Sequence, residues 1–174
     1  MRILAIDAGN TESGYAVINM PDFELLDFGK VENEALLDWL REYEEFGWEK
    51  ISKFYHIDRF AFEMIGSYGM PVGKDVFETC VWIGQFKEAL ESQGENVDYV
   101  YRKDEKINLC GSMKAKDSNI RQALINRYAK HDFKNGKGTK KSKDVFYGVS
   151  KDVWSAIAVG VTFWDMEQEK KEKE

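Results

Sequence analysis

Three carboxylates stand where this chain could most readily do chemistry. Asp7 follows the apolar run Arg2–Ile6 (RILAI), Glu63 lies inside the apolar run Arg59–Met64 (RFAFEM), and Asp152 opens the apolar stretch DVWSAIAVGVTFW. An acid within or at the tip of a buried strand is costly unless a cation or a metal compensates it. Asp7 also reads as the cap of a turn, and Asp152 as a helix N-cap or first-turn acid favoured by the helix dipole. Glu63 resists such a reading, because alternation sets it on the face opposite Phe60, Phe62 and Met64. Together the three form the oxygen-rich donor set that Mg2+ prefers, with few protein ligands and room for water and phosphate oxygens.

The elements that must position these acids follow an alternating pattern. Arg2–Ile6 and Gly14–Asn19 read as strands, and Glu24–Val31, after the Pro21-Asp22 turn, completes an antiparallel meander. Asn33 reads as the N-cap of a helix carrying Ala35, Leu36, Trp39, Leu40 and Tyr43 at helical spacing. Arg59–Met64 is a strand, 66–73 a glycine-rich loop, 75–93 a helix and Val97–Tyr101 a fifth strand. A helix over 116–128 and a mobile glycine- and lysine-rich loop over 131–142 follow, then an apolar helix over 152–164. The pattern predicts a mixed five-stranded sheet flanked by helices on both faces, an α/β class. Residues 1–164 make one domain, and 165–174 a charged, disordered tail.

The chain's 174 residues suit a single core, and its 43% apolar and 32% charged residues are a globular balance. Cys80 and Cys110 lie 30 positions apart without a histidine nearby, which argues against a disulfide framework or a zinc knuckle. Nothing reads as a signal peptide or a membrane span, so a cytoplasmic location is expected. The net charge of −6 hides an asymmetry, because Tyr101–Asp144 holds thirteen Lys and Arg against five Asp and Glu. Phosphate binding depends on such a patch rather than on the whole-chain sum. A solvated lysine-rich loop is the plainer reading of that segment.

Four segments carry a resemblance. IDAGNTESGYAVI at 6–18 resembles the first strand pair of RuvC-type Holliday junction resolvases, and FAFEMIGSYGMPVGKDVFETCVWIGQF at 60–86 looks like their second catalytic strand, loop and helix. GSMKAKDSNIRQALINRY at 111–128 is similar to the family's basic stretch, and KDVWSAIAVGVTFW at 151–164 to its closing acidic helix. All four come in family order, and the long second segment points to the phage-encoded branch, whose setting is a bacterial host cytoplasm.

The resemblance implies a ribonuclease-H-like fold, a homodimer, and metal-dependent paired nicking of four-way and related branched DNA, forks included. Asp7, Glu63 and Asp152 match the metal-binding acids, and a further acid of the family falls at Ser155. Such a site supports in-line attack by water, with two Mg2+ ions about 4 Å apart serving the water and the leaving 3′ oxygen, and Mn2+ able to substitute. Asp7 would bridge the ions, with Glu63 on one and Asp152 on the other.

DNA contacts are expected from Lys114, Lys116 and Arg121, and from the loop lysines Lys134, Lys137, Lys140, Lys141 and Lys143. Tyr68 lies in the loop after Glu63, where the family has a stacking aromatic at a different offset, and it reads equally as an ordinary loop residue. His56 and His131 read as surface or loop residues. The 75–93 helix offers Phe77, Val81 and Phe86 either to a dimer face or to the chain's own core.

Two other readings stand beside this one. IDAGNT is also similar to the phosphate loop of the sugar-kinase superfamily, where Asp7 would bind Mg2+ and Gly9 and Thr11 cradle phosphate, but such kinases need a second half and loop that this chain lacks. Ser155 keeps open a junction-binding protein with weak or no cleavage.

Overall fold

A computed structural model describes residues 1–43, 48–50, 53–67, 69 and 71–173. Alternating apolar residues build β1 (Arg2–Asp7), β2 (Glu12–Asn19) and β3 (Glu24–Glu32) into an antiparallel meander, followed by helix α1 (Asn33–Arg41). A short hairpin, β4 (Trp48–Lys50) with β5 (Lys53–Tyr55), forms its own two-stranded sheet and has no forerunner in the sequence reading. β6 (Arg59–Met64) and β7 (Val97–Tyr101) then add parallel to β1, so the main sheet runs β3-β2-β1-β6-β7. This is the mixed five-stranded sheet that the pattern predicts. The remaining helices are α2 (Lys74–Glu91), α3 (Arg102–Cys110), α4 (Asp117–Tyr128) and α5 (Lys151–Lys173).

Strand parity divides the interior into two cores. Leu4, Ile6, Tyr15, Val17, Phe60 and Phe62 face one side, where α1 and α2 contribute Leu36, Leu40, Phe86 and Leu90. Ile3, Ala5, Ala16, Ile18 and Ala61 face the other, against α4 and α5. Phe86 is fully buried and belongs to the chain's own core, so of the expected dimer anchors only Phe77 and Val81 remain outside, 61% and 59% exposed.

The second face is lined by small residues for a reason. α5 crosses so closely that a Cβ added to Gly160 would lie 2.7 Å from Ile18 Cδ1 and 3.1 Å from the Cβ of Ala5. At its N-terminal end, a Cβ on Gly14 would meet the backbone oxygen of Asp152 at 2.5 Å. Glycine at these two positions lets α5 lie flat on β1 and β2 and brings Asp152 to the end of β1.

Three details depart from the sequence reading. Asn33 is the first residue of α1 rather than its cap, and it is buried. Its side chain accepts from Ser13 Oγ at 2.6 Å and donates to the Gly9 carbonyl at 2.9 Å, pinning the turn after Asp7. The segment after Tyr101 is helical (α3), although its residues RKDEKINLC show no apolar stripe. Where a disordered tail is expected from residue 165, α5 continues to Lys173. Asp165 is held there by Arg127 at 2.5 and 2.7 Å and Glu167 by Arg59 at 3.2 Å. Among the described residues, no helix is long and apolar enough to cross a membrane.

Gly160→Val should lower stability by about 1–3 kcal/mol, the usual cost of forcing extra methyl groups into a close-packed contact. Urea unfolding followed by circular dichroism measures this; an unchanged midpoint would show that α5 can lift from the sheet without loss.

Candidate active site

Asp7 and Glu63 meet because β1 and β6 are parallel neighbours in register. Ile6 pairs with Phe62, so the next residues along each strand are the two acids, both on the α5 side of the sheet. Each is half-buried. Their carboxyl groups act on each other, and the Ser155 hydroxyl of α5 favours the ionised form of Asp7. Glu105 of α3 completes the cluster. It is 0% exposed, and after burial its charge acts on Glu63 more strongly than that of any other group.

One cation sits among these acids. Arg102, at the start of α3, donates from Nη1 to Glu105 Oε2 at 2.5 Å and from Nη2 to Asp117 Oδ1 at 2.6 Å. Burial works against its charge, but Glu105 and Glu63 outweigh that and hold its pKa above the ordinary arginine value.

A single guanidinium cannot neutralise three carboxylates, and the proton populations show it. Burial, then the charges of Glu105 and Asp7, push the Glu63 carboxyl up to about 9. Burial pushes Glu105 up to about 8 against the pull of Arg102. Burial also raises Asp7, although the hydrogen bonds from Glu63 and Ser155 oppose the shift. Glu63 therefore keeps its proton near neutral pH.

Asp152 stands apart from this pair. Its Oδ2 lies 3.2 Å from Lys30 Nζ on β3, and the same ammonium meets Glu12 at 2.8 Å. Among the described residues, no three His, Cys, Asp or Glu side chains are already gathered into a metal cage. The donor set nonetheless fits a divalent cation. It is all oxygen, it holds protons where it lacks positive charge, and one buried oxygen, Glu105 Oε1, has no hydrogen-bond partner.

Two openings reach the cluster. Asp7 and Glu63 line a hollow of about 220 Å3 shared with Asp75, Val76 and Thr79 at the start of α2. Asp152, Ser155 and Arg102 line a larger cleft of about 610 Å3 whose other walls carry Arg121, Lys134, Lys137 and Lys151. The structure thus brings three of the expected DNA-contacting residues, Arg121, Lys134 and Lys137, into one cleft with Asp152. Lys114 lines a neighbouring hollow beside Cys110 and Asn119. Lys116, Lys140, Lys141 and Lys143 are exposed, and Tyr68 lies outside the described residues. Arg121 is held over the Trp154 ring at 5.1 Å.

The segment 131–142 is built on two carboxylates rather than left loose. Asp144, buried, accepts backbone N–H groups from Lys130, His131, Asp132 and Val145 at 2.7–3.2 Å. Burial alone would raise its pKa, but these donors hold it well below the usual carboxylate range. Asp132 in turn accepts from Asn135, Lys137 and Gly138 at 2.9–3.2 Å. His56 and His131 are exposed, as expected. The sequence reading did not single out Arg102, Glu105 or Lys30. A cationic residue directly after a buried strand was the available signal for the first.

These proton populations give stability a direction with pH. The unfolded chain releases the Glu63 proton near the ordinary glutamate value of 4.5, whereas the fold keeps it to about 9. Between those values the native state binds more protons, so cation-free stability is greatest at the acid end and falls as pH rises through the window. Urea midpoints from about pH 5 to about pH 9 should decline, and Glu63→Gln should flatten the decline and raise the midpoint temperature at about pH 8 by about 2 °C or more. A Glu63→Gln profile as steep as that of the parent would place the retained proton elsewhere.

No protein-family model matches the sequence, and no curated protein does so either. Solved structures do. A structure of RuvC from T. thermophilus in complex with a Holliday junction substrate superposes with a TM-score of 0.66 at 15% identity, over 93% of this chain and 92% of that one. Thermus thermophilus RuvC in a second structure gives a TM-score of 0.66, again at 15% identity, over 98% of this chain and 97% of that one. The likeness spans nearly the whole of both chains. The chain has the RuvC-type, ribonuclease-H-like fold.

Proposed function

We propose that this protein is a divalent-metal-dependent endonuclease that binds four-way and related branched DNA and resolves it by paired nicking of phosphodiester bonds. The observation that carries the reading is the Asp7–Glu63 pair. Two adjacent strand-end acids, whose shared burial opposes their ionising together, line a small hollow, and a separate cleft with basic walls carries Asp152 and Ser155. A buried acid pair of this kind has little structural value, since apolar residues of similar volume stabilise a core at least as well.

Asp7 and Glu63 would hold the cation, with Asp152 released from Lys30 to join them. Bound there, Mg2+ would supply Lewis-acid stabilisation of charge on the phosphate oxygens and favour attack by water. The chain's own residues do the rest. Arg121, Lys134, Lys137 and Lys151 offer positive charge to the phosphate backbone along the cleft. Ser155 orients Asp7, and Arg102 keeps Glu105 and Asp117 in place. Paired nicks need two copies, and Phe77 and Val81, one turn apart on α2 and both exposed, are the apolar surface that supports a homodimer.

Purified protein is to be incubated with a labelled four-way junction, a matched duplex and a Y-fork, in Mg2+ and then in EDTA. Symmetrical nicks confined to the junction are expected, lost in EDTA and reduced about 100-fold or more by Asp7→Asn, with sedimentation equilibrium giving the mass of two chains. Equal cutting of the fork would indicate a looser branched-DNA nuclease. Tight junction binding without cutting would favour the binding-module reading that Ser155 leaves open, and no binding would sink the proposal.

Lys140 and Lys141 test the DNA path separately. If both touch phosphate, replacing them with glutamate should weaken junction binding and lower the slope of log affinity against log salt by about 2. An unchanged slope would place the DNA on another surface.

A further inference from the structure

Glu105 is the most enclosed acid of the cluster, and its two oxygens are treated differently. Oε2 accepts from Arg102 Nη1 at 2.5 Å, whereas Oε1 is buried with no hydrogen-bond partner. Asp152, by contrast, meets Lys30 and Asp117 meets Arg102. A buried carboxylate oxygen without a donor is costly enough to be rare, and where one occurs an ion is among the ordinary explanations. Beyond Arg102, Glu105 has acids for neighbours: of all charges its own acts most strongly on Glu63, and that of Asp7 acts on it. Near neutral pH a retained proton offsets that charge, and a divalent cation beside Oε1 would displace it.

The same count can be taken from α5. Asp152 and Ser155 lie one turn apart at its start, so that helix contributes one carboxylate and one hydroxyl to the site. A hydroxyl donates to Asp7 but brings no negative charge. α3 brings that charge from the other side, through a helix in which Glu105 is the one buried residue.

We infer that Glu105 is a ligand of the divalent cation, the carboxylate that α3 supplies where Ser155 supplies none. This rests on the metal-dependent reading above. It makes Glu105 a site residue, with Arg102 as the counterion that holds its second oxygen when the first is engaged.

The test is Mn2+ binding to the full chain by isothermal titration calorimetry, with folding checked by circular dichroism. The parent chain and Asp7→Asn establish the metal-dependent reading itself. If the parent binds no Mn2+, or Asp7→Asn binds it equally well, that reading fails and takes this inference with it. With that control in place, Glu105→Gln should weaken Mn2+ binding about tenfold or more, and adding Ser155→Asp to it should recover the affinity. Unchanged affinity in folded Glu105→Gln overturns the inference. So does a loss that Ser155→Asp leaves in place, which would assign Glu105 to holding Arg102. If Glu105→Gln does not fold, the unsubstituted chain answers by NMR. Substoichiometric Mn2+ should broaden the side-chain Cδ resonances of Glu63 and Glu105 together, and a Glu105 signal that stays sharp while Glu63 broadens would overturn it.

Discussion

Like charge confined to a shared pocket of low dielectric is the constraint on which the rest of this structure depends. Two carboxylates at 4 Å repel by about 4 kcal/mol at an effective dielectric constant of 20. Holding a proton against one unit of pKa shift costs about 1.4 kcal/mol, so the fold meets the repulsion by retaining protons on Glu63 and Glu105. Arg102 offsets part of the charge but is shared with Asp117. The cluster is thus folded yet short of positive charge, and that shortage is what the proposed cation would relieve.

Much of the scaffold serves to impose this crowding. Parallel pairing of β1 with β6 sets Asp7 beside Glu63, and parity turns both toward α5. Ala5, Ala16 and Ala61 keep that side of the sheet shallow, and Gly14 and Gly160 let α5 press against it. Asn33 ties the turn after Asp7 to the start of α1, so the strand end cannot drift away from the helix. Arg59 and Arg127 anchor the far end of α5 through Glu167 and Asp165. A helix fixed at both ends is what keeps Asp152 and Ser155 at the strand tips.

The strands were legible because each buries one face and so writes a period of two into its residues; Arg59–Met64 and Val97–Tyr101 match the structure at both ends. Asp7 and Glu63 were legible for the same reason, as acids that break an apolar strand. Glu105 was not, because RKDEKINLC carries no apolar stripe and the helix buries its one glutamate through electrostatics rather than hydrophobicity. The pairing of Asp152 with Lys30 depends on the register of β3 against β2, which composition does not encode. The continuation of α5 past Trp164 rests on ion pairs with Arg59 and Arg127, partners remote in sequence. Segment 131–142 reads as loose from its glycines and lysines, while its order comes from Asp132 and Asp144, two acids whose role is to collect backbone N–H groups.

The arrangement of charge also bears on how an acidic protein would bind the polyanionic partner proposed for it. Thirteen basic residues against five acidic ones between Tyr101 and Asp144 leave the remainder of the chain at −14. Screening confines the influence of exposed charge to about 8 Å at physiological salt, so a phosphate in the cleft responds to the lysines and arginines lining it more than to the distant acids. The acid cluster would itself repel that phosphate, and the basic walls and a bound cation each remove part of the repulsion. Affinity from the walls is sensitive to salt, whereas the half-buried acids are screened far less. Binding and chemistry in this cleft should therefore respond differently to ionic strength, because they draw on charges on opposite sides of the same surface.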